Sequence, residues 1–125
     1  MIELAGNLIV EGGKVLLIYR SKEEYWEVPG GKVENDESPT QAAVREAEEE
    51  IGIEVELEKP FYTGEFMKDG DLYMWHGYIA STEESPSLEE EKFSDLKWVA
   101  KDELQELELA PNLRQIEPAL RKILN

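Results

Sequence analysis

Apolar and polar positions alternate at the start of the chain. Leu4–Val10 and Val15–Arg20 read as two strands joined across Glu11-Gly12-Gly13-Lys14. Paired glycines there supply the positive φ angles of a tight hairpin. Trp26-Glu27-Val28 then meets Pro29-Gly30-Gly31, a breaker cluster expected to be loop. Ser38-Pro39-Thr40-Gln41 announces a helix, with Ser38 as N-cap, Pro39 at the first position and Gln41 completing a capping box. The helix is expected to run to about Ile51 and stop at Gly52. Ile53–Phe66 and Leu72–Ala80 form a second hairpin around Lys68-Asp69-Gly70-Asp71, and Leu96-Lys97-Trp98-Val99 is a short strand after an acidic loop at Glu83–Glu91. Leu113, Ile116, Leu120, Ile123 and Leu124 recur at helical spacing, so an amphipathic helix ends the pattern, packed on the sheet.

A chain of 125 residues suits one domain, expected to span 1–125, and hydrophobic residues at 41% argue for a folded globule. No cysteine is present, so thiolate metal sites, disulfides and cysteine nucleophiles are excluded and any metal must be oxygen-ligated. Met1–Val10 carries no basic leader and no run reaches a membrane span, which points to a soluble cytoplasmic protein. The net charge of −16 disfavours nucleic-acid polymers and anionic membranes, and means that an anionic substrate needs a cation beside it. That charge fits either a high-salt, halophilic cytoplasm or an ordinary acidic protein. The sequence leaves the oligomeric state open.

On the first helix, 100° steps place Ala43, Val44, Ala47 and Ile51 on one arc and Glu46, Glu49 and Glu50 on another. Glu46 meets Glu49 at i,i+3 and Glu50 at i,i+4, each repulsion costing roughly 0.2–0.5 kcal/mol in an isolated helix. Arg45 can hold Glu49 at i,i+4, but one guanidinium does not neutralise three acids, whereas a divalent cation can. Taken alone, the helix reads first as a solvated acidic face. The flanking register changes that balance.

Residues 31–53 read GKVENDESPTQAAVREAEEEIGI. This stretch resembles the Nudix box, GX5EX7REUXEEXGU, where U is a bulky aliphatic residue. Gly31, Glu37, Arg45, Glu46, Glu49, Glu50, Gly52 and Ile53 fall in place, and Ala47 stands where a larger aliphatic is commoner, which bears on packing rather than ligation. Trp26-Glu27-Val28-Pro29-Gly30 and Lys97-Trp98-Val99 are also similar to the family. The resemblance implies an α/β Nudix fold, an α/β/α sandwich around a mixed β-sheet. It further implies a magnesium-dependent pyrophosphohydrolase, with manganese able to take the metal's place. The metal ligands would be Glu46, Glu49, Glu50 and the Gly30 carbonyl, which suits a hard cation. Glu46 would also help deprotonate water, Arg45 would orient the acids, Glu37 would support the loop, and Lys32 would meet a phosphate oxygen. A second acid from the loop before the last strand would be Glu91, with Glu89 and Glu90 close behind.

Leu109-Ala110-Pro111-Asn112 looks like the region where MutT-type nucleoside triphosphate pyrophosphatases place a base-reading asparagine, although Asn112 is also a good N-cap for the last helix. Among the aromatics, Trp26 is the candidate for base stacking. Tyr25, Tyr73, Trp75 and Tyr78 can line the same wall or fill the core. His76, the one histidine, reads as an ordinary satisfied side chain. The resulting expectation is hydrolysis of a nucleoside triphosphate, of the oxidised-purine, 8-oxo-dGTP-like kind, to monophosphate and pyrophosphate. The alternatives are an ADP-ribose or nucleotide-sugar pyrophosphatase and a Nudix-fold nucleotide-binding regulatory module.

Overall fold

The structure, a computed structural model, describes residues 1–124. Strands β1 (Ile2–Glu11) and β2 (Lys14–Arg20) form the expected hairpin, closed by Gly12 and Gly13 at φ 59° and 75°. Next come β3 (Tyr25–Glu27), β4 (Gly30–Lys32) and helix α1 (Pro39–Ile51). The long hairpin β5 (Glu56–Lys68) and β6 (Asp71–Ser81) follows, then β7 (Phe93–Ala100), a short α2 (Lys101–Leu104) and α3 (Pro111–Ile123).

The sheet is mixed. β1 runs parallel to β6, from Ile2 opposite Tyr73 to Ile9 opposite Ala80, while β4 pairs antiparallel with β1 and β5 with β6. β2 carries the other wing, flanked by antiparallel β3 and β7. Because strand side chains alternate, this sheet has two apolar faces. Leu8, Val15, Leu17, Trp75 and Val99 pack with Leu113, Ile116 and Leu120 of α3. Ile9, Leu16, Ile18 and Ala80 pack with Ala47 and Ile51 of α1. A helix on each face is the expected layered arrangement.

β5 and β7 start at Glu56 and Phe93 rather than Ile53 and Leu96, α2 is unexpected, and two further differences bear on the site. Gly30 and Gly31 are not loop but the short β4, with Ala5 opposite Gly31 and Gly6 opposite Gly30. A Cβ on Gly30 would run into the Ala5 carbonyl, so glycine here permits close strand approach rather than a turn. The second is the cap of α3: its N-cap is Ala110, Pro111 takes the first turn, and no side chain caps it, so Asn112 is not the N-cap. Helix α1 behaves as anticipated. Ser38 accepts from Gln41 N–H, the Gln41 side chain accepts from Ser38 N–H at 2.8 Å, and Gly52 ends the helix at φ 66°. None of the described helices is long and apolar enough to cross a membrane.

Candidate active site

The site begins with one buried polar side chain in an apolar strand. Asn7, fully buried on β1, donates through Nδ2 to the Pro29 carbonyl at 3.1 Å and to the Ala43 carbonyl at 2.9 Å, and its backbone N–H also reaches Pro29. One amide thus ties β1, the turn before β4 and α1 together. The Gly30 N–H donates in turn to Glu50 Oε1 at 2.8 Å, and a Cβ on Gly31 would collide with the Glu46 carboxylate. Gly31 therefore lets the backbone close on the Glu46 carboxylate, while Gly30 brings its N–H to Glu50.

Arg45 organises the next layer. Its Nε and Nη2 donate to the two oxygens of Glu37 at 2.8 and 3.0 Å, a bidentate pair. Its Nη1 donates to Glu46 Oε1 at 2.6 Å and Glu49 Oε1 at 3.0 Å, and Nη2 also reaches the Lys32 carbonyl at 2.9 Å. The guanidinium holds the Glu37 carboxyl below its ordinary range, with help from the Glu34 N–H.

The acids of α1 are not one exposed wall. Glu49 is half-exposed and Glu46 largely covered, but the Glu50 side chain is only 1% exposed. At 100° per residue Glu50 lies about 20° from Ala43, so it belongs to the edge of the packing arc and is carried inward with it. Burial pushes its carboxyl up to about 9, and the nearby charges of Glu46 and Glu27 push the same way against the Gly30 hydrogen bond and Lys92. Glu50 Oε2 has no hydrogen-bond partner. In the loop before β7, Glu91 is exposed, and neither it nor Glu90 lines the cavity beside α1. Glu90 is partly covered, with Oε1 buried and without a hydrogen-bond partner. Lys92 Nζ stands 3.5 Å from that oxygen and 3.8 Å from Glu50 Oε2.

Does this set fit a divalent metal? Among the described residues no ready-made cluster of metal ligands is assembled, and Arg45 donates to both Glu46 and Glu49. Nevertheless the donors are all oxygen, and the two buried carboxylate oxygens without partners, on Glu50 and Glu90, ask for a cation. The residues present therefore fit a hard divalent ion.

A cavity of about 340 Å³ opens beside these acids. Gly30, Gly31, Lys32, Glu46 and Lys92 form one end, and Tyr25, Phe66, Tyr73, Trp75 and Asn112 line the remainder with Arg20, Glu27 and Lys68. Phe66 and Tyr73 stack with centroids 5.1 Å apart. Arg20 donates twice to Glu27 Oε1, at 3.0 and 2.7 Å, and burial raises the Glu27 carboxyl although Arg20 opposes it. Lys68 Nζ donates to the Tyr25 hydroxyl at 2.9 Å.

Lys32 and Asn112 thus join Glu46 around one cavity, whereas Trp26, Glu37, Glu49 and Glu50 do not line it. On β3 Tyr25 and Glu27 take the cavity side, and alternation turns Trp26 the other way, against Tyr19 at 5.2 Å. Tyr78 is likewise not among the lining residues, and His76 pairs with Glu3 at 2.9 Å. Sequence reading missed Asn7, Arg20, Glu27, Lys68 and Lys92. Asn7 carried a signal, as a lone amide within Leu4–Val10; the cations carried none, since they come together only in the fold.

Comparison with known proteins agrees with this geometry. The NUDIX domain profile matches residues 4–120. The chain is 34% identical over 118 residues to the CTP pyrophosphohydrolase of Escherichia coli (strain K12), covering 89% of this chain and 84% of that protein. It is 61% identical over 31 residues to the 8-oxo-dGTP diphosphatase of Proteus vulgaris, a match covering 25% of this chain and 28% of that one. The crystal structure of the MutT NUDIX hydrolase from Burkholderia pseudomallei superposes with a TM-score of 0.86 at 29% identity, covering 94% of this chain and 95% of that chain. With Gly31 and Glu46 of its box at the cavity and the profile spanning nearly its whole length, this chain belongs to the NUDIX family and is a Nudix pyrophosphohydrolase of nucleotide diphosphate derivatives.

Proposed function

We propose that this enzyme hydrolyses a nucleoside triphosphate, of the oxidised-purine 8-oxo-dGTP-like class, to the monophosphate and pyrophosphate with magnesium as its metal. The observation that carries this reading is Asn112. It does not cap α3, and it lines the cavity together with the stacked Phe66–Tyr73 pair, so its amide is available to pair with a base edge in both directions.

Glu46, Glu49, Glu50 and the Gly30 carbonyl would hold the metal. Glu90 takes over the loop contribution first sought at Glu91, because its buried oxygen lacks a partner while Glu91 is exposed. When bound, magnesium supplies positive charge that offsets the diphosphate and polarises phosphorus toward attack. The chain's own residues do the rest. Glu46, lining the cavity, receives a proton from the attacking water as its oxygen bonds to phosphorus and the anhydride P–O bond breaks. Arg45 fixes the orientation of Glu46 and Glu49, Glu37 fixes Arg45, and Lys32 meets a phosphate oxygen. The aromatic wall excludes water from the base.

A second reading, hydrolysis of CTP, is favoured by the Escherichia coli relative that carries that name. Chromatography of products from 8-oxo-dGTP, CTP, ordinary nucleotides, ADP-ribose and nucleotide sugars separates the two. Monophosphate and pyrophosphate from 8-oxo-dGTP are expected, falling about 10²–10⁴-fold in kcat in Glu46→Gln with KM little changed. Preference for CTP moves the assignment to the second reading. Preferential cleavage of ADP-ribose discards the role given to Asn112, and tight nucleotide binding without turnover in magnesium makes the protein a binding module.

A further inference from the structure

Two of the buried oxygens without a hydrogen-bond partner, Glu50 Oε2 and Glu90 Oε1, share one neighbour of opposite charge. Lys92 Nζ lies 3.8 Å from the first and 3.5 Å from the second. A charge-assisted N–H···O bond is about 2.7–2.9 Å long. The ammonium therefore stands beside the two carboxyl groups without satisfying their oxygens. A hard cation, coordinating at about 2.0–2.6 Å, would satisfy them. It would also repel an ammonium held between the same two groups.

Lys92 is not an ordinary surface lysine paired with a surface acid. One of its partners is the most deeply buried carboxylate of the site, its Nζ stands over the Phe93 ring 5.3 Å from the centroid, and it lines the cavity beside Gly30, Gly31 and Lys32. Nearly half its side chain is exposed, which leaves the long stem free to re-aim. The position serves two anions: the carboxylates on one side and whatever phosphate enters the cavity on the other.

We propose that Lys92 is the resident cation of this site: it stands beside Glu50 and Glu90 while no divalent ion is bound, gives way when one binds, and then turns its ammonium to a phosphate oxygen of the substrate. Metal and substrate binding are thereby coupled. The lysine opposes the metal when the metal comes alone and favours the diphosphate once the metal is in place, so the loaded enzyme is reached most readily with both present. This rests on the metal site proposed above, but not on the identity of the base.

The test uses the full chain, stripped of metal with EDTA, at one fixed pH. Manganese binding is followed by the electron paramagnetic resonance of the free ion. Imidodiphosphate, a diphosphate that resists hydrolysis and carries no base, is titrated calorimetrically at saturating manganese. Lys92→Met should bind manganese about fivefold more tightly than wild type, since it loses a partly exposed competing charge. It should bind imidodiphosphate about tenfold more weakly, having lost a charge-assisted hydrogen bond. Lys92→Arg, which keeps the charge and the stem, should stay near wild type in both. Unchanged or weaker manganese binding in Lys92→Met overturns the proposal, as does unchanged imidodiphosphate binding. If wild type binds no manganese, the proposal falls together with the metal-site reading. If the enzyme merely prefers a different base, both titrations keep their expected outcome.

Discussion

Replacing Glu50 with glutamine isolates the electrostatics of the catalytic helix from its chemistry. In the metal-free protein Glu50 is buried with its carboxyl pushed up to about 9, against an ordinary value near 4.5 in the unfolded chain. Between those values the folded state keeps a proton that the unfolded state releases. The folded state therefore binds more protons, and its stability falls as pH rises. The contribution is fully present below pH 4.5 and lost as pH rises toward and through 9. Glutamine, neutral at every pH, lacks this dependence. From pH 5.5 to 8.0 the slope of about 1.4 kcal/mol per unit sets a ceiling of about 3 kcal/mol on the relative gain of Glu50→Gln. Lys92 and local relaxation reduce it, so about 1–3 kcal/mol is expected.

The assay is urea unfolding of EDTA-treated wild type and Glu50→Gln at both pH values. Across that window Arg45 stays protonated and Glu37 ionised in both proteins, so neither contributes to the difference. The amide can still accept the Gly30 N–H through its oxygen, so the backbone contact survives. Adding a divalent metal should raise the stability of wild type and not of the variant, because only wild type retains the ligand. A stability difference that stays constant with pH to within about 0.5 kcal/mol, or that moves against the variant as pH rises, would refute the burial argument.

Two further outcomes test the scaffold. Gly52→Ala should cost about 1 kcal/mol in urea unfolding, because the residue sits at φ 66° and its new Cβ would meet the Glu89 side chain at 3.3 Å; an unchanged midpoint would sink the left-handed cap as the reason for glycine. With a net charge of −16, molar KCl should raise the thermal midpoint of the metal-free protein by about 2–4 °C through screening, and a fall would mean that its ion pairs outweigh its self-repulsion.

The strands, turns and helix ends were legible wherever a local rule governed them. Gly12-Gly13 demanded a hairpin, Ser38 to Gln41 a capped helix start and Gly52 its end, and each holds in the fold. Legibility failed where tertiary contact overrode the local rule. Gly30-Gly31 reads as breaker, yet β1 recruits it as a strand because glycine lets the two backbones approach. Glu50 reads as one more surface acid, yet Gly30 N–H and the packing of Ala47 and Ile51 draw it inside. Trp26 was the most conspicuous aromatic near the box, but strand parity gives the cavity to Tyr25 and Glu27 instead.

The deeper gap concerns how so acidic a chain accepts an anion. The sequence suggested that a metal reconciles the two, with Lys32 as the one further cation on a phosphate oxygen. In the fold, Arg20 on β2, Lys32 on β4, Lys68 at the end of β5 and Lys92 before β7 all line one cavity. Arg20 is committed to Glu27 and Lys92 to Glu50 and Glu90, but Lys32 and Lys68 have no acid partner within ion-pair distance among the described residues. A chain with only 13 basic residues against 29 acidic ones thus concentrates positive charge where a phosphate-bearing substrate must enter. The surrounding negative field repels anions everywhere else, so local charge rather than net charge decides where a nucleotide binds. No window of sequence holds more than a fraction of that cluster, because the hairpin β5–β6 and the loop before β7 deliver Lys68 and Lys92 from distant parts of the chain.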